Sequence, residues 1–243
     1  MVSEDFLKVV GKFPAMFAKA VVFGEHPSRE RPSKLNNGTV SLLRLDCGPV
    51  AVTCHHVIDF YRKRVKAGEK CLFQVGQCRL DPFDQLLSEN SDADLAVLRL
   101  TETQAGKVVA DGSDICSQFF APASWPPLRA AEGDDVAFCG FPGEWRETVD
   151  YDSFRFASYS VRERVTAVGN LSFICAFDRQ SWLTHFYYKG ADSLREFGGM
   201  SGGPAFALRN LNFEFVGAVQ KYATDAIHFA HAGLIGSNGH INP

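Results

Sequence analysis

The stretch Phe197-Gly198-Gly199-Met200-Ser201-Gly202-Gly203-Pro204 sets one hydroxyl among four glycines and closes on a proline. Glycine reaches positive φ and lets another backbone come close, so the run marks a tight turn that something approaches. Such a turn can aim successive backbone N–H groups at one point, as an anion-binding concavity. A serine beside those donors is placed to attack a carbonyl whose oxygen then becomes negative. An ordinary glycine-rich turn explains the same residues. The two readings separate on whether a base and an orienting carboxylate stand elsewhere in the chain.

Two histidines, His55 and His56, follow the apolar run Val50–Thr53 and Cys54. A histidine just past a buried strand is presented at an edge where it can act as a base. The same residues serve as satisfied structural histidines or, in pairs, as metal ligands, but no partner at ligand spacing stands nearby. The acidic candidate is Asp94, which opens the apolar run Leu95-Ala96-Val97-Leu98. A partly buried carboxylate needs a partner to stay ionised, and a histidine N–H is one. Its plainer role is to cap a strand. Asp92 reads as its solvated companion.

The 243 residues, 46% of them hydrophobic, supply core for one large or two small domains. A net charge of −3 without a long basic run gives no footprint for nucleic acid. The N-terminus lacks a basic signal-peptide region, and no 18-residue apolar run exists to span a membrane. The cysteine count is odd (7) and includes no C-x-x-C. That pattern points to reduced thiols, a cytoplasmic location, no metal site and no cofactor.

Apolar periodicity over residues 3–19 predicts a short helix, with Ser3 as its cap. Strands are expected at 20–23, 38–45, 50–53, 70–75, 77–80 and 94–100 in the first half. Residues 81–92 read as a polar loop. In the second half strands are expected at 136–139, 154–159, 162–167, 171–177, 184–188, 205–209, 213–220, 226–229 and 231–235. Residues 101–129, rich in proline, read as a connector. The fold class is therefore all-β: two six-stranded antiparallel β-barrels behind a short N-terminal helix, divided as residues 1–118 and 119–243.

The local patterns around His56, Asp94 and Ser201 resemble the trypsin-like (chymotrypsin-fold) serine peptidases, in the bacterial stand-alone and high-temperature-requirement branches. Thr53-Cys54-His55-His56-Val57 is similar to their T-x-x-H-V segment. Asp94–Leu98 is similar to D-[IL]-A-[VL]-L, and Gly199–Pro204 to G-x-S-G-G-P. Gly133–Pro142 and Gly217–Tyr222 resemble the start of the second barrel and the strand beside the specificity pocket. The resemblance implies a serine endopeptidase with His56 as base, Asp94 as orienter and Ser201 as nucleophile. It puts the oxyanion hole at the Gly199 and Ser201 amides. It implies a primary pocket walled by residues 193–198, 220–222 and 224–228, so Gln220, Lys221, Tyr222 and Ala226 are the expected substrate-binding residues. The expected partner is a protein or peptide substrate. Met200 stands where the digestive members carry an aspartate that pairs with a cleaved N-terminus, so no such zymogen step is implied. A catalytically silent relative that binds peptides, or an enzyme awaiting an activating protein partner, fits the same residues.

Overall fold

The computed structural model describes residues 10–25, 35–110, 116–150, 153–176, 196–223 and 225–242. Of the expected N-terminal helix, residues 10–12 are helical, a 3-10 turn occupies Pro14–Phe17, and residues 18 and 19 already belong to a strand. Its beginning, and the strand expected at 184–188, lie outside the described residues.

The first half holds β1 (Ala18–Glu25), β2 (Leu35–Leu45), β3 (Gly48–Thr53), β4 (Cys71–Val75), β5 (Cys78–Arg79), β6 (Leu86–Asn90) and β7 (Leu95–Arg99). They form one antiparallel sheet in the order β5-β4-β1-β2-β3-β7-β6. Of the two barrels expected, a second closed one is not shown: among the described residues the sheet is open, with β5 and β6 as its edges. The reason is local. β5 is two residues long and leads into a short helix, α2 (Pro82–Gln85), begun by a proline and capped by Asp81. A proline has no N–H to extend a ladder, so the edge stops there.

The central strands are apolar on both faces because both faces are covered. Ala96 and Leu98 of β7 join Val40, Leu42 and Ala51 in a core under a helix, α1 (His55–Lys66), which contributes Val57, Ile58 and Tyr61. Leu95 and Val97 point the other way, with Leu43, Val50 and Val52, against Phe206, Phe215, Ala218 and Ala230 of the second half. Neither α1 nor a second helix, α3 (Glu102–Val109), appears in the reading of the sequence above.

The second half holds β8 (Asp135–Gly140), an outlying hairpin of β9 (Arg146–Asp150) and β10 (Ser153–Phe156), then β11 (Tyr159–Val168), β12 (Ser172–Ala176), β13 (Pro204–Arg209), β14 (Asn212–Ala223) and β15 (Ala226–His231). Six of these close a barrel in the order β11-β12-β15-β14-β13-β8. Phe138, Phe173, Phe229, Val161 and Val216 fill it. Closure pairs each barrel strand with a neighbour on either side over part of its length, and alternate residues point in and out. The expected strand at 231–235 ends at His231; residues 232–234 form a 3-10 turn. Among the described residues no helix is long and apolar enough to cross a membrane.

Candidate functional site

The site lies where the open sheet meets the barrel, and three chain segments build it. At the first, β3 ends at Thr53 and α1 begins one residue after Cys54. His55 and His56 therefore sit in the first helical turn and diverge. His55 reaches toward Glu89, with Nε2 3.7 Å from Oε2. His56 turns its Nδ1 to Asp94 Oδ2 at 2.8 Å. Its side chain is 48% exposed, so the rest of the ring faces solvent.

The second segment is the turn before β7. Asn90 Oδ1 accepts the Ala93 N–H at 2.8 Å, and Asp94 takes a left-handed φ of 48°. That conformation is costly for a residue with a Cβ, and aspartate is among the few that tolerate it. It brings both carboxylate oxygens to bear on one residue: Oδ2 meets the imidazole, and Oδ1 accepts the His56 backbone N–H at 3.0 Å. Cys54 offers no side-chain cap to α1. Asp94 does so from the start of the neighbouring strand β7 and places negative charge at the helix N-terminus.

The third segment carries Ser201. Gly199 and Gly202 have φ of 101° and 92°. A Cβ on Gly202 would run into the Thr39 carbonyl and the Thr53 side chain, so the turn lies directly against the strand end that leads to His56. Each carbonyl from Phe197 to Gly203 has a donor. Met200 N serves Phe197, Gly143 N serves Gly198, Gly203 N serves Met200, Thr39 N serves Ser201 and Val219 N serves Gly203. The Thr39 hydroxyl serves Gly199 at 2.7 Å and the Ser41 hydroxyl serves Gly202 at 2.8 Å. The amides of Met200, Gly202 and Gly203 are spent as donors in the same network. Among the described residues, those of Gly198, Gly199 and Ser201 donate to no protein group. The loop thus has its carbonyls tied inward and these amides left over as donors.

Ser201 Oγ donates to the Gln220 carbonyl at 3.1 Å. Among the described residues no hydrogen bond joins it to the His56 ring. Gln220 sits at a break in register between β14 and β15, and its side chain is turned inward, donating to the Ala93 carbonyl at 2.7 Å. Lys221 is exposed, while Tyr222 and Ala226 are half-buried along the same hairpin. Tyr222 packs against Phe197, with ring centroids 5.0 Å apart. Beyond Ala218, β14 has no strand pairing on its β13 side among the described residues. Val219 bonds the Ser201 turn, and Gln220 and Lys221 follow it beside Ser201 without a strand partner on that side among the described residues.

Cys54 lies under this assembly, fully buried, with Sγ 3.1 Å from the Val219 carbonyl. Burial first, and then the Asp94 charge, push its thiol well above the ordinary range. Cys54, His56 and Asp94 together offer donor atoms within 4.8 Å of one another, the candidate metal grouping among the described residues. Its carboxylate and imidazole are already engaged with each other. All seven cysteines are unpaired. Burial pushes Cys139 up to about 12, which keeps that thiol protonated and unreactive.

No family model matches the sequence, and no curated protein matches it. Among solved structures, the chain is similar to the active form of the Rv3671c protease from M. tuberculosis, at 17% identity over 91% of this chain and 79% of that one, with a TM-score of 0.49. It is also similar to the thermostable serine protease AL20 from an extremophilic microorganism, at 11% identity over 88% of this chain and 90% of that one, with a TM-score of 0.47.

Proposed function

We propose that this chain is a serine endopeptidase that cleaves peptide bonds through an acyl-enzyme intermediate. One observation carries the reading. The turn bearing Ser201 has its carbonyls satisfied and the Gly199 and Ser201 amides unspent, and it packs on the strand end that presents a carboxylate-bound imidazole.

The chemistry follows from the hydrogen-bond pattern. Nδ1–H of His56 donates to Asp94, which leaves Nε2 to accept a proton. The Ser201 hydroxyl exchanges its bond to Gln220 for one to His56, gives up its proton and attacks the substrate carbonyl carbon. The carbonyl oxygen becomes an anion facing the Gly199 and Ser201 amides, and one such donor typically lowers the barrier by ~2.7–4 kcal/mol. The imidazolium, steadied by Asp94, then protonates the leaving amine. Water repeats the sequence on the ester, with His56 again as base. The substrate strand adds beside Gln220–Tyr222 of β14, with Ala226 on the adjoining strand, by β-augmentation.

The test is covalent labelling by a fluorophosphonate probe, with wild type beside Ser201→Ala and His56→Ala. Labelling of wild type that both substitutions abolish supports the reading. Folded wild type that stays unlabelled overturns it in its simple form. A second reading draws on the Ser201 bond to Gln220: the domain binds peptide while its nucleophile is held off, either permanently or until an activating protein partner arrives. Peptide binding without labelling is its signature.

A further inference from the structure

Gln220 is the residue in which the two halves of the site meet. Its side-chain amide donates to the carbonyl of Ala93 at 2.7 Å, and Ala93 is the neighbour of Asp94. Its own carbonyl accepts the Ser201 hydroxyl at 3.1 Å. The side chain is buried, at 8% exposure, and the Ala93 carbonyl it serves belongs to a residue at 1%. A buried carbonyl robbed of its donor is costly, so the contact has little freedom to break. The turn it grips is the one that must hold Asp94 at a positive φ. Strained conformations persist only where the surroundings over-determine them. Asn90 restrains this turn from one side, through the Ala93 N–H, and Gln220 restrains it from the other, through the Ala93 carbonyl.

We infer that Gln220 is a positioning residue: its side chain fixes the Asp94 turn of the open sheet and its backbone fixes Ser201 of the barrel, so the carboxylate–imidazole pair and the nucleophile stay in register across the joint. The inference rests on the peptidase reading for its effect on rate, but the structural link is independent of that reading. The register break at Gln220 serves this arrangement. It lets the side chain turn inward to Ala93 while the carbonyl stays on the Ser201 side. The Cys54 thiol lies beside it, with Sγ 4.0 Å from the Gln220 carbonyl, and groups in turn with His56 and Asp94.

Two substitutions test the role. Gln220→Met keeps the length and removes the donor. The expected result is a roughly tenfold lower kcat and labelling rate with KM within twofold, because the peptide-binding edge is backbone and remains in place. Gln220→Glu removes the donor only when ionised. Its activity relative to wild type at the same pH rises as pH falls and the carboxyl regains an O–H for Ala93, while the ratio for Gln220→Met stays flat. A third readout needs no catalysis: the downfield proton resonance of His56 Nδ1–H, sharp in wild type, broadens in Gln220→Met. The inference is overturned if folded Gln220→Met labels at the wild-type rate with an unchanged His56 resonance. If Gln220→Met fails to fold, a pH-independent ratio for Gln220→Glu overturns it. Should wild type itself go unlabelled, the peptidase reading fails and the resonance alone decides: lost in Gln220→Met, the link stands; unchanged, it falls.

Discussion

Asp94 holds His56 twice, through Oδ2 to the ring Nδ1 at 2.8 Å and through Oδ1 to the backbone N–H at 3.0 Å. One carboxylate thus sets the tautomer of the imidazole and pins the first turn of the helix that carries it. Asp94→Asn separates the two roles. The asparagine oxygen keeps the backbone bond, but its NH₂ then faces Nδ1, which must become the acceptor. Nε2 becomes protonated and can no longer take a proton from Ser201. The expected outcome is a fall in labelling rate of the order of 10⁴-fold. The accompanying loss of stability, about 1 kcal/mol for exchanging a charge-assisted bond for a neutral one, lowers Tm by only about 2–4 °C. A rate close to wild type would show that His56 does not act through this tautomer.

Thr39 offers a test of how the Ser201 turn is held. Its hydroxyl donates to the Gly199 carbonyl at 2.7 Å and accepts the Phe141 N–H at 3.0 Å, and its backbone N–H serves the Ser201 carbonyl. Thr39→Val keeps the shape and removes both hydroxyl bonds. The peptide joining Gly199 to Met200 then keeps only the Met200 N–H bond to the Phe197 carbonyl, and the turn that carries the adjacent Gly199 amide loosens. We expect kcat to fall by one to two orders of magnitude with KM little changed, since a donor acting on the developing anion affects the transition state alone. Steady-state kinetics on a peptide library hit checks the split. An equal fall through KM would place Thr39 in substrate binding instead.

Much of this was legible before any coordinates. The alternation of apolar residues and turn signals locates β3, β7, β8, β11, β12 and β13 within a few residues, because each except the longer, alternating and charged β11 is a short apolar run bounded by glycine, proline or acidic punctuation. The helices α1 and α3 escape the sequence for different reasons. In α1 only Val57, Ile58 and Tyr61 are buried among charged neighbours, a stripe too sparse to outweigh the strand preceding it. In α3 the signal was present: Thr101 and Gln104 form a capping box. Barrel closure is a matter of which edges pair, and strand counting cannot supply it. The roles of Thr39 and Gln220 were invisible for a related reason. Their bonds run across 160 and 127 residues of chain.

The glycines around Ser201 differ in what they tolerate. Gly202 combines φ of 92° with the Thr39 carbonyl and Thr53 Cα at the position a Cβ would take. Gly68 has a comparable φ of 82° but open space around it. Gly68→Ala pays only the backbone term, about 1–2 kcal/mol. Gly202→Ala adds overpacking against backbone that cannot yield, about 1–3 kcal/mol more. The paired measurement is Tm by scanning calorimetry: a drop of a few degrees for Gly68→Ala and of the order of 10 °C for Gly202→Ala. Equal drops would mean that the turn can move away from β2, contrary to the network that ties it there.

His231 sets a pH dependence of stability away from the site. It is fully buried, its ring tilted on Phe173 at 5.3 Å, with Nε2 3.0 Å from the Gly169 carbonyl. Nδ1 has no hydrogen-bond partner among the described residues. Burial above all lowers its proton affinity, and the Arg129 charge adds to that. The folded protein therefore keeps the ring neutral where the unfolded chain, titrating near 6.5, takes up a proton. The unfolded state binds more protons below that pH, so stability rises with pH up to about 6.5 and is lost as pH falls further. Half-buried His228, lowered by burial and by Lys221, acts in the same direction. Between pH 7 and 5 the most that one fully suppressed histidine can remove is about 2 kcal/mol. His231→Phe keeps an aromatic ring on Phe173 and forfeits the bond to Gly169. It should start less stable than wild type at pH 8 and lose less on acidification, so the two curves of unfolding free energy against pH converge. Parallel curves would show that His231 is accommodated in its charged form.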